Sequence, residues 1–578
     1  MPRFIERRHW FVLAGITLLA LGVRVVTLSS FSRSIYGSQL MPDEQIYDFY
    51  ARAIHEGKSL PHIVGFSAEV PGYVFSVAYS LFGVDAASAR LLNVVLGTAT
   101  CIALYFAGEA LADRTTGLLA AAFGALYGPF ILASVTAEKT ALALALIGIG
   151  TALGVRCVRR PRAVELAFFG IAVALATHVR GNALLLVLAA PVAFAWTWRR
   201  RDQTKPIVLH LAAYAAGLAI VLVPLSSGGV LGATEHGFNF YLGNNLDNAT
   251  PYYRPARFAP SQPDLQGGGF VLKASLDVGR TLSTAQAREH YDAKLRAEWS
   301  ARPRAAASKA LAKLLGSVSV YEHAHNHNLE LVSRFVPPLA LPWISFGVLF
   351  PFAVLGIVRR RGTHESQWLT FVAAAYWLTL VAFFSDVRLR APFALLLMPL
   401  AAIGLQDALH RRGRSLAFAA LLLAVSAAAT RMPVPGAGDL TTAHNLHALM
   451  LFDSGDYDGA ERHYRASHRL EGLDSDSALL GLSAVAIKRG DLAAAQELLA
   501  TLGDDHYKAA EKYIQLGDIF VRQRRFEEAA SALEHAIEIV PGLLRVYPIL
   551  ELLYARLGMR HEAAHTRQRY DYATQFFD

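Results

Sequence analysis

The 578 residues are 54% hydrophobic and only 17% charged, with a mean hydropathy of +0.32, whereas soluble chains carry about 25% charged residues. The apolar residues fall in blocks of roughly 17 to 24 broken by arginine clusters, the pattern of membrane-spanning helices. A wholly soluble enzyme, a disordered chain and a disulfide scaffold are excluded; the two cysteines, Cys101 and Cys157, sit in or beside apolar blocks. The formal charge of +9 divides unevenly. From Thr442 onward 21 acidic residues face 15 basic ones, which leaves 25 acids and 40 bases in the apolar part. The basic excess therefore reads as membrane topology and not as nucleic-acid affinity. Ten lysines against 45 arginines, with abundant alanine, suggest a GC-rich bacterial source.

In chain order, the first apolar block follows Arg3, Arg7 and Arg8. It is too long for a signal-peptide core and lacks a small-residue cleavage site, so it is expected to be a retained helix. Eleven spans are predicted, near 10–30, 88–111, 115–134, 138–156, 163–178, 182–198, 206–225, 337–358, 366–384, 392–409 and 414–430. Alternate connections carry arginine: Arg114; Arg156, Arg159, Arg160 and Arg162; Arg199, Arg200 and Arg201; Arg359, Arg360 and Arg361; Arg411, Arg412 and Arg414. Five loops in register put the N-terminus in the cytoplasm. They put the loops 31–87 and 226–336, and everything after 431, on the extracytoplasmic side. The segment 71–82 reads as an amphipathic interfacial helix, and Thr284–Leu315 as helix with a break at Pro303.

After Pro433 and Pro435 the composition turns to charged, alanine-rich helix. Gly455-Asp456-Tyr457, Gly490-Asp491-Leu492, Arg524-Arg525-Phe526 and Gly558-Met559-Arg560 recur at spacings of 35, 34 and 34, with Ala460, Ala495, Ala529 and Ala563 at a matching offset. This is the tetratricopeptide pattern, with a degenerate last unit. The predicted architecture is all-α: a polytopic membrane bundle over 1–436, then an extracytoplasmic α-solenoid over 437–578. The concave face of such a solenoid suits a protein or peptide partner, though a pure assembly role fits the same pattern.

The chemistry-bearing residues gather in the outer loops. The first holds Pro42-Asp43-Glu44 and Glu69-Val70-Pro71-Gly72, and the outer end of the fourth span carries Glu138-Lys139. Acidic groups at membrane depth mark functional sites. An Asp-Glu pair just past the first span, followed by an acidic residue before proline, resembles the GT-C glycosyltransferases, among them the protein O-mannosyltransferases and the lipid A aminoarabinose transferases. The resemblance covers roughly residues 5–430. Asn239-Phe240-Tyr241-Leu242-Gly243-Asn244-Asn245 and Asp386-Val387-Arg388-Leu389-Arg390-Ala391-Pro392 are similar to segments of bacterial members that also end in tetratricopeptide repeats.

The resemblance implies transfer of a sugar from a polyprenyl-phosphate carrier, with inversion, outside the cytoplasm of a bacterial inner membrane. Asp43 matches the catalytic carboxylate and Glu44 its neighbour; Asp43 is then the general base on the acceptor hydroxyl. Glu69 takes the place of the acidic residue before proline, with Val70 where many relatives have a second proline. Glu138 takes that of the second-loop acid, with Lys139 as a phosphate ligand. Arg388, Arg390 and Arg180 lie on the outer side against the positive-inside trend, and the arginine fork suits phosphate oxygens. Arg388 ranks first among them.

His323, His325 and His327 alternate along a short stretch and open a divalent-metal site as a further option, while the resemblance implies no cofactor. Two rival functions remain. An O-antigen-ligase-like enzyme would draw on the histidines and on Arg254 and Arg257 in the late loop. A repeat-bearing membrane scaffold would need no Asp43 at all.

Overall fold

A computed structural model describes residues 2–60, 63, 68–200, 207–227, 234–323, 326–410 and 414–577. The described residues fold into helices, with short helical turns and one isolated bridge between Tyr127 and Ile344. Among the described residues six helices are long and apolar enough to cross a membrane: His9–Ser32, Ala86–Leu111, Thr140–Arg159, Gly181–Arg200, Ile207–Pro224 and Val387–Leu409. Ala163–Val179 and Leu416–Ala429 are shorter apolar helices. Phe346–Arg360 and His364–Ala382 complete the bundle.

The predicted span 115–134 is not one helix. It divides into Arg114–Leu126 and Gly128–Ala133. Pro129 has no N–H to return to the Ala125 carbonyl, and the Gly128 N–H turns outward to Ile344 O at 3.1 Å. The two carbonyls so released find a cation. Arg24, fully buried in the first helix, donates through Nη2 to Gly124 O (3.1 Å) and through Nη1 to Ala125 O (3.5 Å), and its Nε reaches Ser134 Oγ at 3.1 Å. A charge at membrane depth is costly unless bonded in this way. The predicted span 337–358 likewise begins late: a short turn at Pro337–Ala340 precedes the helix Phe346–Arg360.

Glycine sets the closest helix crossing. A Cβ on Gly356 would lie 1.9 Å from Leu400 O, and one on Gly404 would lie 1.9 Å from Phe352 O. The helix Val387–Leu409 is thereby pressed against its neighbour, which fixes the side chains at its start. At the far end of the bundle, Arg156 pairs with Glu165 (2.9 Å), Arg159 with Glu365 (3.3 Å) and Arg359 with Asp407 (3.2 Å). The side chains of Arg3, Arg7, Arg8 and Arg414, and all of Arg201, Arg411 and Arg412, lie outside the described residues.

The two long loops and the C-terminal helices gather at the opposite end. The helix Glu69–Phe82 buries Pro71, Phe75 and Tyr79 and exposes Tyr73, Val77 and Leu81. The late loop forms four longer helices, Thr234–Asn244, Pro263–Val278, Thr284–Ala301 and Pro303–Val318, the last two parted at Pro303, and the short helix Leu329–Ser333; the longer ones surround a core of Phe238, Tyr241, Phe270 and Tyr291. Two buried lysines pin the chain that follows the first of these. Lys309 donates to the carbonyls of Asn248 (2.5 Å) and Thr250 (2.6 Å), and Lys313 to Asn244 Oδ1 (2.6 Å) and Ala382 O (2.9 Å). Burial presses their ammonium groups down, to about 8 and about 7.

After Thr441 the chain forms four helical hairpins: Thr441–Asp453 with Tyr457–Arg469, Ser477–Arg489 with Leu492–Thr501, Ala509–Arg522 with Phe526–Ile539, and Tyr547–Arg556 with Arg560–Thr574. Each turns through one left-handed residue, Gly455 (φ +87°), Gly490 (φ +82°), Arg524 (φ +61°) and Gly558 (φ +79°). Ala460, Ala495 and Ala529 are wholly buried, while Ala563 is only half-buried. The hairpins are fastened to the rest of the chain at both ends. His447 Nδ1 meets the Tyr36 hydroxyl at 2.8 Å, and Phe576 joins the core of the late loop.

Candidate active site

Asp43 and Glu44 open the helix Pro42–His55, where Pro42 stands at the first position and both carboxylates fall in the first turn. Their side chains go to different work. Asp43 Oδ2 accepts from Arg388 Nη1 at 2.6 Å. Glu44 turns inward, wholly buried. Its Oε2 accepts from Met41 N (3.0 Å) and its Oε1 from Ala137 N (2.7 Å), which joins the first loop to the segment bearing Glu138. His327 Nε2 faces Glu44 Oε2 at 3.3 Å. Burial opposes the charge on Glu44, but His327, Arg90 and the Met41 N–H outweigh it and hold the carboxyl down at about 2.

Arg388 stands at the start of the helix Val387–Leu409, capped by Asp386, which accepts from Arg388 N (2.8 Å) and Nε (3.3 Å). Nη1 also approaches Glu138 Oε1 at 3.4 Å, and that same oxygen accepts from Asn326 Nδ2 at 3.0 Å. One guanidinium thus serves Asp43, Glu138 and Asp386. Asn93 in turn sets the backbone of the Glu138 segment, donating to the carbonyls of Thr136 (2.8 Å) and Glu138 (2.9 Å). The side chains of Asp43 and Arg388 keep 14% and 24% exposure, against 5% for Glu138 and 3% for Asp386. Asp43 and Arg388 are therefore the members of the cluster that an arriving molecule meets. Beneath them lies a cavity of about 30 Å³ walled in part by Thr136, Thr140, His327 and Arg388, the space of one water.

Tyr47 stands one helical turn after Asp43, on the same face. Its phenol is raised well above the usual range by burial and by Asp43 and Glu138, while Arg388 and Arg180 pull the other way. Lys139 Nζ lies over the Tyr47 ring at 5.6 Å. Arg180 is buried and donates from Nη2 to Thr140 Oγ1 at 2.8 Å; its Nε meets no acceptor, and no carboxylate pairs with it among the described residues. Its guanidinium is thus less fully bonded than that of Arg388.

Two expected members stand elsewhere. Glu69 begins its helix within electrostatic reach of Tyr50 and His178. Arg390 is committed to the late loop: it binds Ser319 O (2.5 Å), Tyr321 O (2.9 Å) and Glu322. Glu322 also accepts from Tyr127 (3.0 Å) and from Phe346 N (3.1 Å).

The histidines diverge. His323 stacks on Tyr252 at 3.9 Å between centroids, His327 goes to Glu44, and His325 lies outside the described residues. Among the described residues no three His, Cys, Asp or Glu side chains converge as a metal site. Arg254 and Arg257 are bound to the carbonyls of Leu473 (3.2 Å) and Asp504, which ties the late loop to the C-terminal hairpins. Sequence reasoning passed over Tyr47, Asn93, Asn326, His327 and Asp386 as members of the cluster. The i, i+4 spacing from Asp43 was a usable signal for Tyr47; Asn326 was hidden inside the histidine string.

Residues 68–226 match the family model described as dolichyl-phosphate-mannose-protein mannosyltransferase. The matched stretch holds Glu69, Glu138, Lys139 and Arg180; Asp43 precedes it and Arg388 follows. No curated protein matches the chain. Among solved structures, it is similar to the archaeal oligosaccharyltransferase AglB from Archaeoglobus fulgidus in complex with an inhibitory peptide and a dolichol-phosphate. There the TM-score is 0.41 at 14% identity, over 79% of this chain and 59% of that one. It is also similar to ArnT from Cupriavidus metallidurans bound to undecaprenyl phosphate, with a TM-score of 0.30 at 18% identity over 72% of this chain and 88% of that one. The chain thus spans less than two thirds of the archaeal protein's length. The likeness to a glycosyltransferase family thus rests on residues 68–226, a part of the apolar helical bundle.

Proposed function

We propose that the protein moves a sugar from a polyprenyl-phosphate carrier to a hydroxyl acceptor, with inversion, at the loop end of the bundle, on the extracytoplasmic side of a bacterial inner membrane. The observation that supports this most is the contact of a partly exposed carboxylate, Asp43, with Arg388, with Arg180, which pairs with no carboxylate among the described residues, close enough to act on Tyr47 of the same cluster.

The transfer balances as a single displacement. The acceptor oxygen forms a bond to the anomeric carbon while the bond from that carbon to the phosphate oxygen breaks. Asp43 takes the hydroxyl proton, and the electron pair leaves on the phosphate. A phosphate leaving group needs cations in place of a proton. Arg180 supplies a charge that no carboxylate neutralises among the described residues, so it ranks ahead of Arg388 as the donor-phosphate ligand, with Lys139 as a second cation. Arg388 orients Asp43 and releases it as the anionic donor arrives. Glu44 is a positioning residue: through Ala137 N it holds the Asp43 and Glu138 segments in register. Arg390 and Glu322 do the same for the late loop, and Glu69 lines the sugar side. The hairpins after Thr441 form a tetratricopeptide solenoid that presents the acceptor or its carrier.

The test is a transfer assay on the purified full chain with a panel of radiolabelled polyprenyl-phosphate sugars and extracted envelope as acceptor. One donor is expected to yield a glycosylated product with stoichiometric free polyprenyl phosphate. No transfer from any donor, by protein that is folded, would overturn the reading.

A further inference from the structure

The first hairpin meets both outer loops through imidazoles. His444 and His447 stand one turn apart on the helix Thr441–Asp453, and His463 comes from the facing helix Tyr457–Arg469. His444 Nδ1 and His463 Nδ1 lie 3.1 Å apart, and the centroid of the His447 ring lies 4.3 Å from that of His463. His447 carries the contact across: its Nδ1 meets the Tyr36 hydroxyl at 2.8 Å, and its ring stacks on Phe335 at 4.2 Å. Tyr36 belongs to the first outer loop and Phe335 to the late one. Around this contact Met450 and Leu446 of the hairpin pack with Phe31, Val332 and Val336. The Tyr36 ring also lies against the edge of His327, at 5.9 Å, and His327 is the partner of Glu44.

Such a cluster has room for few protons. Two imidazole nitrogens at 3.1 Å can share one proton between them. An imidazolium carries N–H on both nitrogens, so the pair His444–His463 cannot be doubly charged without parting. A charge on His447 meets the same His463 ring at contact distance. The surroundings offer little relief. Of the charged residues on the elements packed around the three, Arg334 and Arg462 add to the repulsion. Glu330 is paired with Arg334 at 3.3 Å, and Asp456 caps its own helix by accepting from Gly459 N at 2.8 Å. Arg33, on the first loop, is turned to Ser29, and Arg489, on the next hairpin, to Asp458 and Glu461. The Tyr36 phenol is raised by burial and stays neutral. His444 and His447 are buried, and His463 is half-buried and gives protons a way in. Burial first, then the neighbouring charges, lowers all three imidazoles, His463 to about 4 and His447 to about 3.

We propose that His444, His447 and His463 form a proton-operated latch, which fastens the first hairpin to Tyr36 and Phe335 near neutral pH and releases it as the surroundings acidify. The sign follows from the lowered affinity for protons. The closed form is favoured above the ordinary histidine value of about 6.5 and loses ground as pH falls below it. Set against that value, His447 and His463 each raise the opening constant by about 30-fold between pH 7.5 and pH 5. Release frees Tyr36, and with it the loop that carries Asp43. On the glycosyl-transfer reading the latch couples the site to external pH; the latch itself does not depend on that reading.

The test is hydrogen exchange of the full chain in lipid nanodiscs, read by mass spectrometry from pH 7.5 to pH 5 with the intrinsic pH dependence of amide exchange removed. The readout is the opening constant of peptides from the helix Thr441–Asp453 and from residues 33–41. Both are expected to open together, by at least about 100-fold over that range, while peptides from the helix Arg560–Thr574 do not change. Near pH 5 the logarithm of the opening constant is expected to rise by about two per pH unit of acidification, and by about one in His447→Gln or His463→Gln. A flat profile, opening of the hairpin without the loop, or an unchanged slope in both variants would each overturn the latch. Where a variant is already open at pH 7.5, the wild-type slope decides, and a value below one overturns the latch. Sugar transfer forms no part of this readout, so failure of the transferase reading leaves the result standing.

Discussion

Arg388 and Arg180 carry the same charge and stand in opposite circumstances. Arg388 is shared among three carboxylates, whereas Arg180 is buried with one hydroxyl acceptor and a free Nε. Arg180→Ala is therefore expected to raise the KM for the polyprenyl-phosphate donor by about 10- to 100-fold, with a smaller fall in kcat; initial rates against donor concentration check it. Glu44 gives a pH test. Its folded-state carboxyl is held at about 2, below the ordinary glutamate value of about 4.3. The stability it contributes is complete above that ordinary value and is lost as pH falls toward 2. Glu44→Gln is expected to lower the stability at pH 7 by about 1–3 kcal/mol, read as a lower Tm, and to flatten the acid-side decline between pH 4.5 and about 2 in thermal unfolding. The candidate carboxylates were legible because acids near membrane depth are rare. The ranking of the arginines was not, since only the fold shows which ones have already found carboxylates.

At the scale of elements, the position of the hairpin turns was legible to the residue. Gly455, Gly490, Arg524 and Gly558 align in the sequence, and all four adopt positive φ. Arg524 does so with a Cβ, at a cost of roughly 1 kcal/mol. Arg524→Gly is expected to stabilise the chain by up to that amount, read as a rise in Tm of the C-terminal hairpins by circular dichroism; a fall would show that the arginine side chain matters more than its backbone. The break at Tyr127 was not legible. Apolar periodicity runs through 115–134 without interruption, and Pro129 alone does not say that Arg24, a hundred residues earlier, will receive the freed carbonyls. Pro303, within a polar and solvent-facing helix, was a readable break because no distant partner is needed to explain it.

For the whole molecule, the described arginines of the connections, such as Arg159 and Arg359, lie at one end of the bundle and the loops, cluster and hairpins at the other. By the positive-inside rule the first end is expected to face the cytoplasm. A reporter fused after residue 436 is then expected to signal from the extracytoplasmic side, and a cytoplasmic signal would reverse the assignment. The union of membrane part and hairpins could not be read from the chain, since it rests on pairs such as Tyr36 with His447, and Gly268 with Phe576, far apart in sequence.

The most direct measurement is the rate of sugar transfer by purified Asp43→Asn protein, in single turnover with donor bound. Loss of the general base is expected to slow transfer by ~10²–10⁴-fold while donor binding stays at the wild-type level. Transfer at the wild-type rate would contradict the account.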